Sequence, residues 1–147
     1  YYYWSIIMAY MNQEMKKELS TGIKSVLKKY GMKGSIAVRH HMTLVVNIKS
    51  GKLDIMQNWF DTVTKNGNGR VNGFGELIKK PEYLSVNQYW IDSNYSGTVK
   101  DFVTELYDAM KGDKWFDKSD IQSDYFHTAY YMDVNVGSWD KPYQFEG

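Results

Sequence analysis

The feature that most constrains the fold is the alternation of apolar and other residues in two stretches, MTLVVNIKS (42–50) and FHTAYYMDVNVG (126–137). A period of two is that of a β-strand, whose successive side chains point to opposite faces of a sheet. The pattern predicts a sheet with one packed face and one solvated face. The packed face is expected to hold Met42, Leu44, Val46, Ile48, Thr128, Tyr130, Met132, Val134 and Val136.

Other stretches supply the remaining elements. Three segments have the three- and four-residue spacing of amphipathic helices: residues 12–30, the segment after Gly51, and residues 96–110. SIAVRHH (35–41) alternates as the first arm of a hairpin that bends near His40, and YLSVNQYWI (83–91) is a further strand candidate. The order α-β-β-α-loop-β-α-β predicts an α+β fold. We expect a two-layer sandwich of about four mainly antiparallel strands, with about three helices on one face.

The length of 147 residues suits a single domain over residues 1–147. KNGNGRVNGFG (65–75) is expected to be a flexible glycine and asparagine loop. Residues 1–7 precede Met8, and we interpret them as an upstream or non-native extension or as an extra edge strand. The lack of cysteine excludes disulfides and thiolate chemistry, and no apolar run reaches the length of a membrane span. A cytoplasmic protein without a membrane partner is predicted.

Charge and aromatic content leave two questions open. Residues 1–80 hold 13 Lys and Arg against 5 Asp and Glu, whereas residues 81–147 hold 5 against 12. This asymmetry makes the halves attract each other, or it builds a basic face for an anionic partner. The 13 tyrosines are equally consistent with a partly solvated edge of the core and with a binding surface. No metal-ligand spacing is present, so neither a metal nor a cofactor is predicted.

The alternation also predicts the site. If the helices cover the apolar face, the other face collects polar and aromatic side chains from three strands. We therefore predict a binding face that contains Arg39, His41, Thr43, Asn47, Lys49, Asn87, Tyr89, His127, Tyr131, Asp133 and Asn135.

An enzymatic alternative rests on His41-Met42-Thr43-Leu44. This sequence resembles one motif of the two-histidine phosphoesterases, which use the motif twice and hydrolyse cyclic or RNA phosphoesters. His127 would be the second histidine, but Ala129 stands where the second motif needs a hydroxyl. The catalytic residues on this reading are His41, Thr43 and His127. Because only one of the two required copies of the motif is complete, a non-enzymatic protein is favoured over a phosphoesterase.

Two longer stretches carry a different resemblance, KKYGMKGSIAVRHHMTLVVNIKSGKLDI (28–55) and DYFHTAYYMDVNVGSWDKPY (124–143). They resemble small proteins of tailed phages and mobile elements, and their arrangement is similar to the large polyvalent protein-associated domains. The resemblance spans about residues 9–60 and 120–143. It implies an accessory protein in the bacterial host cell that modulates host functions or defence, and it brings no catalytic residues.

On this basis, the leading hypothesis is a non-enzymatic protein that binds a host protein or an anionic small ligand through the polar sheet face. A nucleic-acid-binding module is a further alternative, although the RNA-binding signature of sheet proteins is absent. An exposed strand edge also admits a homodimer by sheet extension.

Overall fold

The computed structural model describes residues 11–66, 80–112 and 130–147, and these confirm the α+β class. The elements within those ranges are α1 (Gln13–Lys29), β1 (Met32–Arg39), β2 (Thr43–Gly51), α2 (Ile55–Asn66), β3 (Leu84–Val86), a 3-10 turn (Gln88–Trp90), α3 (Ile91–Asn94), α4 (Gly97–Lys111), β4 (Tyr131–Val136) and β5 (Gln144–Phe145). Predictions about residues 1–7, the loop residues 67–75 and His127 lie outside the described residues.

The sheet is mixed. Its strand order is β1-β2-β4-β3, and β5 pairs with the end of β2. The pairs β1–β2 and β3–β4 are antiparallel, whereas β4 and β5 both run parallel to β2. The prediction of a mainly antiparallel sheet is therefore wrong at the centre of the sheet. The reason is the connection: the chain crosses from β2 through α2, β3 and α4 before it reaches β4, which allows β4 to enter in the direction of β2.

Helix α1 has clear sequence signals at both ends. Asn12 is its N-cap, and the Asn12 side chain accepts a hydrogen bond from the Met15 amide at 2.8 Å. Gly31 follows the C-terminus with φ of +67°, a conformation that favours glycine. Because the chain turns there directly into β1, α1 lies antiparallel to β1. The Met11 amide, at the other end, donates to the carbonyl of His41 in the β1–β2 turn at 2.7 Å.

The core lies between the sheet and the helices. Alternate residues of β2 and β4, among them Val46 and Val134, are at most 6% exposed on the helix-facing side. Helix α1 contributes Ile23 to the same core, and α4 contributes Phe102 and Leu106. Helix α2 adds the buried residues Ile55 and Met56. The predicted apolar face is thus the packed face from Leu44 to Ile48 and from Tyr130 to Val136. The prediction is wrong for Met42, which lies in the turn before β2 and is 38% exposed, and Thr128 lies outside the described residues.

Buried tyrosines connect the elements of the core. The Tyr107 hydroxyl donates to the carbonyl of Val86 at the end of β3 at 3.2 Å. Tyr143 donates to the carbonyl of Leu53 at 2.6 Å. Tyr130 donates to carbonyls in the last turn of α4. Part of the high tyrosine content therefore serves the core, since each phenol fills apolar space and satisfies a main-chain acceptor.

Candidate binding face of the sheet

The face of the sheet away from the helices is built by cross-strand neighbours. Residues that are directly paired across strands share a face. On β2 and β4 the pairs are Thr43 with Tyr131, Val45 with Asp133, and Asn47 with Asn135. Strand β1 adds Arg39, Ala37 and Ser35, which are paired with the three β2 residues in that order. Strand β3 adds Ser85, which is paired with Asn135. We call this surface the open face; it comprises Ser35, Ala37, Arg39, Thr43, Val45, Asn47, Ser85, Tyr131, Asp133 and Asn135.

An ion pair spans the middle of the open face. The guanidinium of Arg39 on β1 bonds to the carboxylate of Asp133 on β4. Because β2 lies between these strands, the Arg39 side chain must cross β2, and arginine is long enough to reach across two strand spacings of about 4.8 Å each. The two side chains remain 51% and 39% exposed, so the pair is accessible from solvent. On the strand that it crosses, Thr43 and Val45 are buried, at 7% and 5% exposure.

A row of polar side chains runs beside this ion pair. The Ser85 hydroxyl on β3 donates to Asn135 Oδ1 at 2.8 Å, and Asn135 Nδ2 donates to Asn47 Oδ1 at 3.2 Å. The row therefore connects three neighbouring strands. Ser35 on β1 is paired with Asn47, and this places an exposed hydroxyl next along the row. Side chains held by one another in this way keep their hydrogen-bonding groups in fixed positions at the surface.

His41 is not on the open face. It lies in the turn between β1 and β2 with φ of +56°, and β2 begins only at Thr43. The expected same-side relation of His41 and Thr43 needs a continuous strand, and this turn interrupts it. His41 instead borders a cleft of about 500 Å³ together with Val38 and the first turn of α1, which lie on the helix side of the sheet. Its predicted place in the binding face is corrected accordingly.

The predicted third strand is also shorter than expected. β3 ends at Val86, and Asn87 is the N-cap of the 3-10 turn, where its side chain accepts from the Tyr89 amide at 2.9 Å. The prediction that Asn87 and Tyr89 are strand residues of the open face is therefore wrong. Ser85 takes that role, and sequence reasoning missed it. The signal was present, because Leu84 and Val86 alternate around Ser85.

A bulge alters the end of the hairpin at Lys49. Gly34 is paired with Ile48 and Lys33 with Ser50, so Lys49 is the extra residue of β2. Gly34 lies very close to the neighbouring strand, since a Cβ at this position would collide with the carbonyl oxygen of Asn47. Lys49 is exposed beside the polar row, but the regular pairing ends there. His127 lies outside the described residues and is not placed.

The electrostatics of the face extend to the end of β3. Burial raises the pKa of the Tyr107 hydroxyl, and the Asp133 carboxylate and Tyr89 raise it further. Asp133 lies beside the point where β3 gives way to the 3-10 turn, since the next residue of β4, Val134, is paired with Val86. Tyr131 adds an exposed ring, 45% accessible, at the edge of the open face. The described residues contain no group of three or more His, Asp or Glu side chains arranged to hold a metal ion.

Comparison of the chain with protein-family models, with curated proteins and with solved structures finds no match in any of the three. Among the described residues no helix is both long and apolar enough to cross a membrane.

Proposed function

We propose that this protein is a non-enzymatic binding protein that recognises a host protein through the open face. The observation that supports this most directly is the polar network on that face: the Arg39–Asp133 ion pair and the Ser85–Asn135–Asn47 row tie four strands together at solvent-accessible positions. A surface of this kind is ordered before a partner arrives, which lowers the entropic cost of binding. The phage or mobile-element origin implied by the sequence resemblance is part of this proposal.

The composition of the face favours a protein partner over a polyanion. Arg39 is neutralised by Asp133, so the centre of the face carries no net positive charge. The remaining groups are amides, hydroxyls and an exposed tyrosine ring. Arginine and tyrosine are enriched among the energetically dominant residues of protein interfaces. Phosphate recognition instead depends on unneutralised Lys and Arg.

The hydrolase alternative loses one geometric support. Its motif needs an imidazole and a hydroxyl on the same side of one strand, whereas His41 is in a turn and Thr43 is 7% exposed. The alternative stays a prediction, and it has a direct assay: hydrolysis of 2′,3′-cyclic phosphates by the wild-type protein and by His41→Ala. Turnover by the wild type that is lost in His41→Ala would overturn the non-enzymatic proposal.

The binding proposal is tested by affinity capture from host lysate with two matched variants. Tyr131→Ala removes the exposed ring from the open face, and Trp139→Ala removes a ring that is 80% exposed in the turn after β4. We expect a defined host protein that is retained by the wild type and by Trp139→Ala but is lost with Tyr131→Ala. Nuclease treatment of the lysate distinguishes a protein partner that binds directly from one that is held through nucleic acid. A partner that is equally sensitive to both substitutions, or that disappears after nuclease treatment, contradicts the proposal.

A further inference from the structure

The outer edge of β1 is a second surface with its own chemistry. Within residues 11–66, 80–112 and 130–147, β1 pairs with β2 on one side and with no strand on the other. The strand has eight residues and is therefore about 26 Å long. The amide and carbonyl groups along such an edge are a template for an added strand.

Helix α1 lies over this edge. Helix α4 is packed over the β3 side of the sheet, since Tyr107 reaches the carbonyl of Val86 there. The same α4 contacts one side of α1: a Cβ on Gly22 would lie 3.8 Å from Ala109, and Lys29 pairs with Glu105 at 2.7 Å. Because α1 runs along β1, the side of α1 that faces away from α4 projects over the outer edge of β1.

Lysines occupy that outward side. Lys17, Lys24 and Lys28 fall within about 40° of one another around the helix and span about 17 Å of its axis. We call these three residues the lysine flank. All three are exposed, and none forms an ion pair with an acidic residue in the part of the chain that the structure describes. The flank therefore presents unneutralised positive charge along most of β1.

Apolar surface lies between the edge and the lysine flank. Ile36 and Val38 point to the helix side of β1, since they pair with the buried residues Val46 and Leu44 of β2. Both are only partly buried because β1 is at the edge of the sheet. An added strand would cover them and would bring its own helix-side residues next to the lysines.

We propose that the outer edge of β1 binds an extended acidic segment of a protein partner by strand addition, with acidic side chains of the segment facing the lysine flank. The main-chain groups of β1 supply the hydrogen bonds, and the lysines select for acidic residues. The main-chain edge of β1 and the lysine flank lie outside the open face, and only Arg39, the last residue of β1, belongs to both surfaces. The proposed occupant follows from charge complementarity.

The lysine flank disfavours a second copy of the chain at this edge. Two copies that pair through β1 in antiparallel fashion are related by a two-fold axis perpendicular to the sheet. Their α1 helices then lie on the same side of the joined sheet, and the two lysine flanks face each other. Like charges in this position oppose association.

The test uses a labelled peptide, N-acetylated SEVEVEVES amide, whose glutamates share one side when it is extended. Binding is measured by fluorescence anisotropy at about 50 mM and about 300 mM salt, since screening weakens charge attraction. We expect Lys17→Gln/Lys24→Gln to bind roughly three- to tenfold more weakly than the wild type. Lys100→Gln/Lys141→Gln, which removes the same charge from α4 and from the turn after β4, is expected to bind as the wild type does.

Two control peptides and a hydrogen-exchange measurement test the charge recognition and the strand pairing separately. The peptide SKVKVKVKS and a version of the acidic peptide with proline at the central valine are both expected to fail, the first through charge and the second through loss of strand pairing. Bound acidic peptide should slow amide hydrogen exchange in residues 33–39. Lysine-dependent binding without this protection would overturn strand addition. Tighter binding of an oligothymidylate to the lysine flank, or a β1-protected dimer of the protein alone, would also overturn the proposal.

Discussion

Two buried tyrosines with nearly equal exposure should respond in opposite ways to loss of their hydroxyl group. Tyr107 is 3% exposed and donates to the carbonyl of Val86, while Tyr95 is 1% exposed and its hydroxyl has no hydrogen-bond partner within the described ranges. Tyr107→Phe removes one hydrogen bond and leaves a buried carbonyl without its donor. We expect a loss of about 1–2 kcal/mol in the free energy of unfolding. Tyr95→Phe removes an unsatisfied polar group, so stability should be unchanged or rise by up to about 1 kcal/mol.

The assay is thermal and urea-induced unfolding of both variants. For a chain of this length the entropy of unfolding makes 1 kcal/mol equivalent to about 3 °C in Tm, so Tyr107→Phe should unfold about 3–6 °C lower than the wild type. Burial raises the pKa of both hydroxyls, and Tyr95 also contributes to the shift at Tyr107. The double variant therefore shows whether the two groups interact. If Tyr95→Phe is as damaging as Tyr107→Phe, the reasoning from hydrogen-bond satisfaction is refuted.

Three further expectations concern pH and close packing. Burial raises the pKa of Tyr130 to about 12 from 10.0. Because the unfolded chain loses this proton first, part of the stability present below pH 10 should disappear between about pH 10 and 12, and urea titrations of Tyr130→Phe should show a smaller loss. Hydrogen bonds from Lys29, the last residue of α1, and from Tyr30, which follows it, lower the pKa of Glu105. The stability that these bonds provide should be lost as the pH falls below about 4.5, and Glu105→Gln should flatten the acid limb of the stability curve. Gly34→Ala should lower the free energy of unfolding by about 1–3 kcal/mol, because the added Cβ meets the carbonyl oxygen of Asn47. Gly22→Ala, whose Cβ would lie 3.8 Å from Ala109, should leave the free energy of unfolding unchanged or raise it slightly. Chemical denaturation of both variants measures the difference.

The limits of the sequence prediction follow from what an alternating pattern contains. It separates the two faces of a strand, so the burial of Val46 and Val134 and the solvent-facing side of Asn135 could be predicted. It contains no strand direction, and the parallel pairing of β2 with β4 could not be predicted from it. Nor does it show where a strand stops. At Asn87 a side-chain cap outcompetes further pairing, and at His41 a left-handed turn breaks the phase of the hairpin.

The two proposed surfaces meet at Arg39, which ends β1 and also spans the open face to Asp133. In the wild type the Asp133 carboxylate neutralises this guanidinium. Asp133→Asn preserves the shape of the side chain but leaves the positive charge at the end of β1. If strand addition depends on charge, Asp133→Asn should tighten binding of the acidic peptide roughly two- to fivefold at low salt. It should also weaken capture of the partner that depends on Tyr131, because the open face loses its ordered ion pair. Asp92→Asn, which releases Lys100 on a different surface, is the matched control and should change neither result. Unchanged peptide affinity in Asp133→Asn would mean that Arg39 takes no part in charge recognition at the edge.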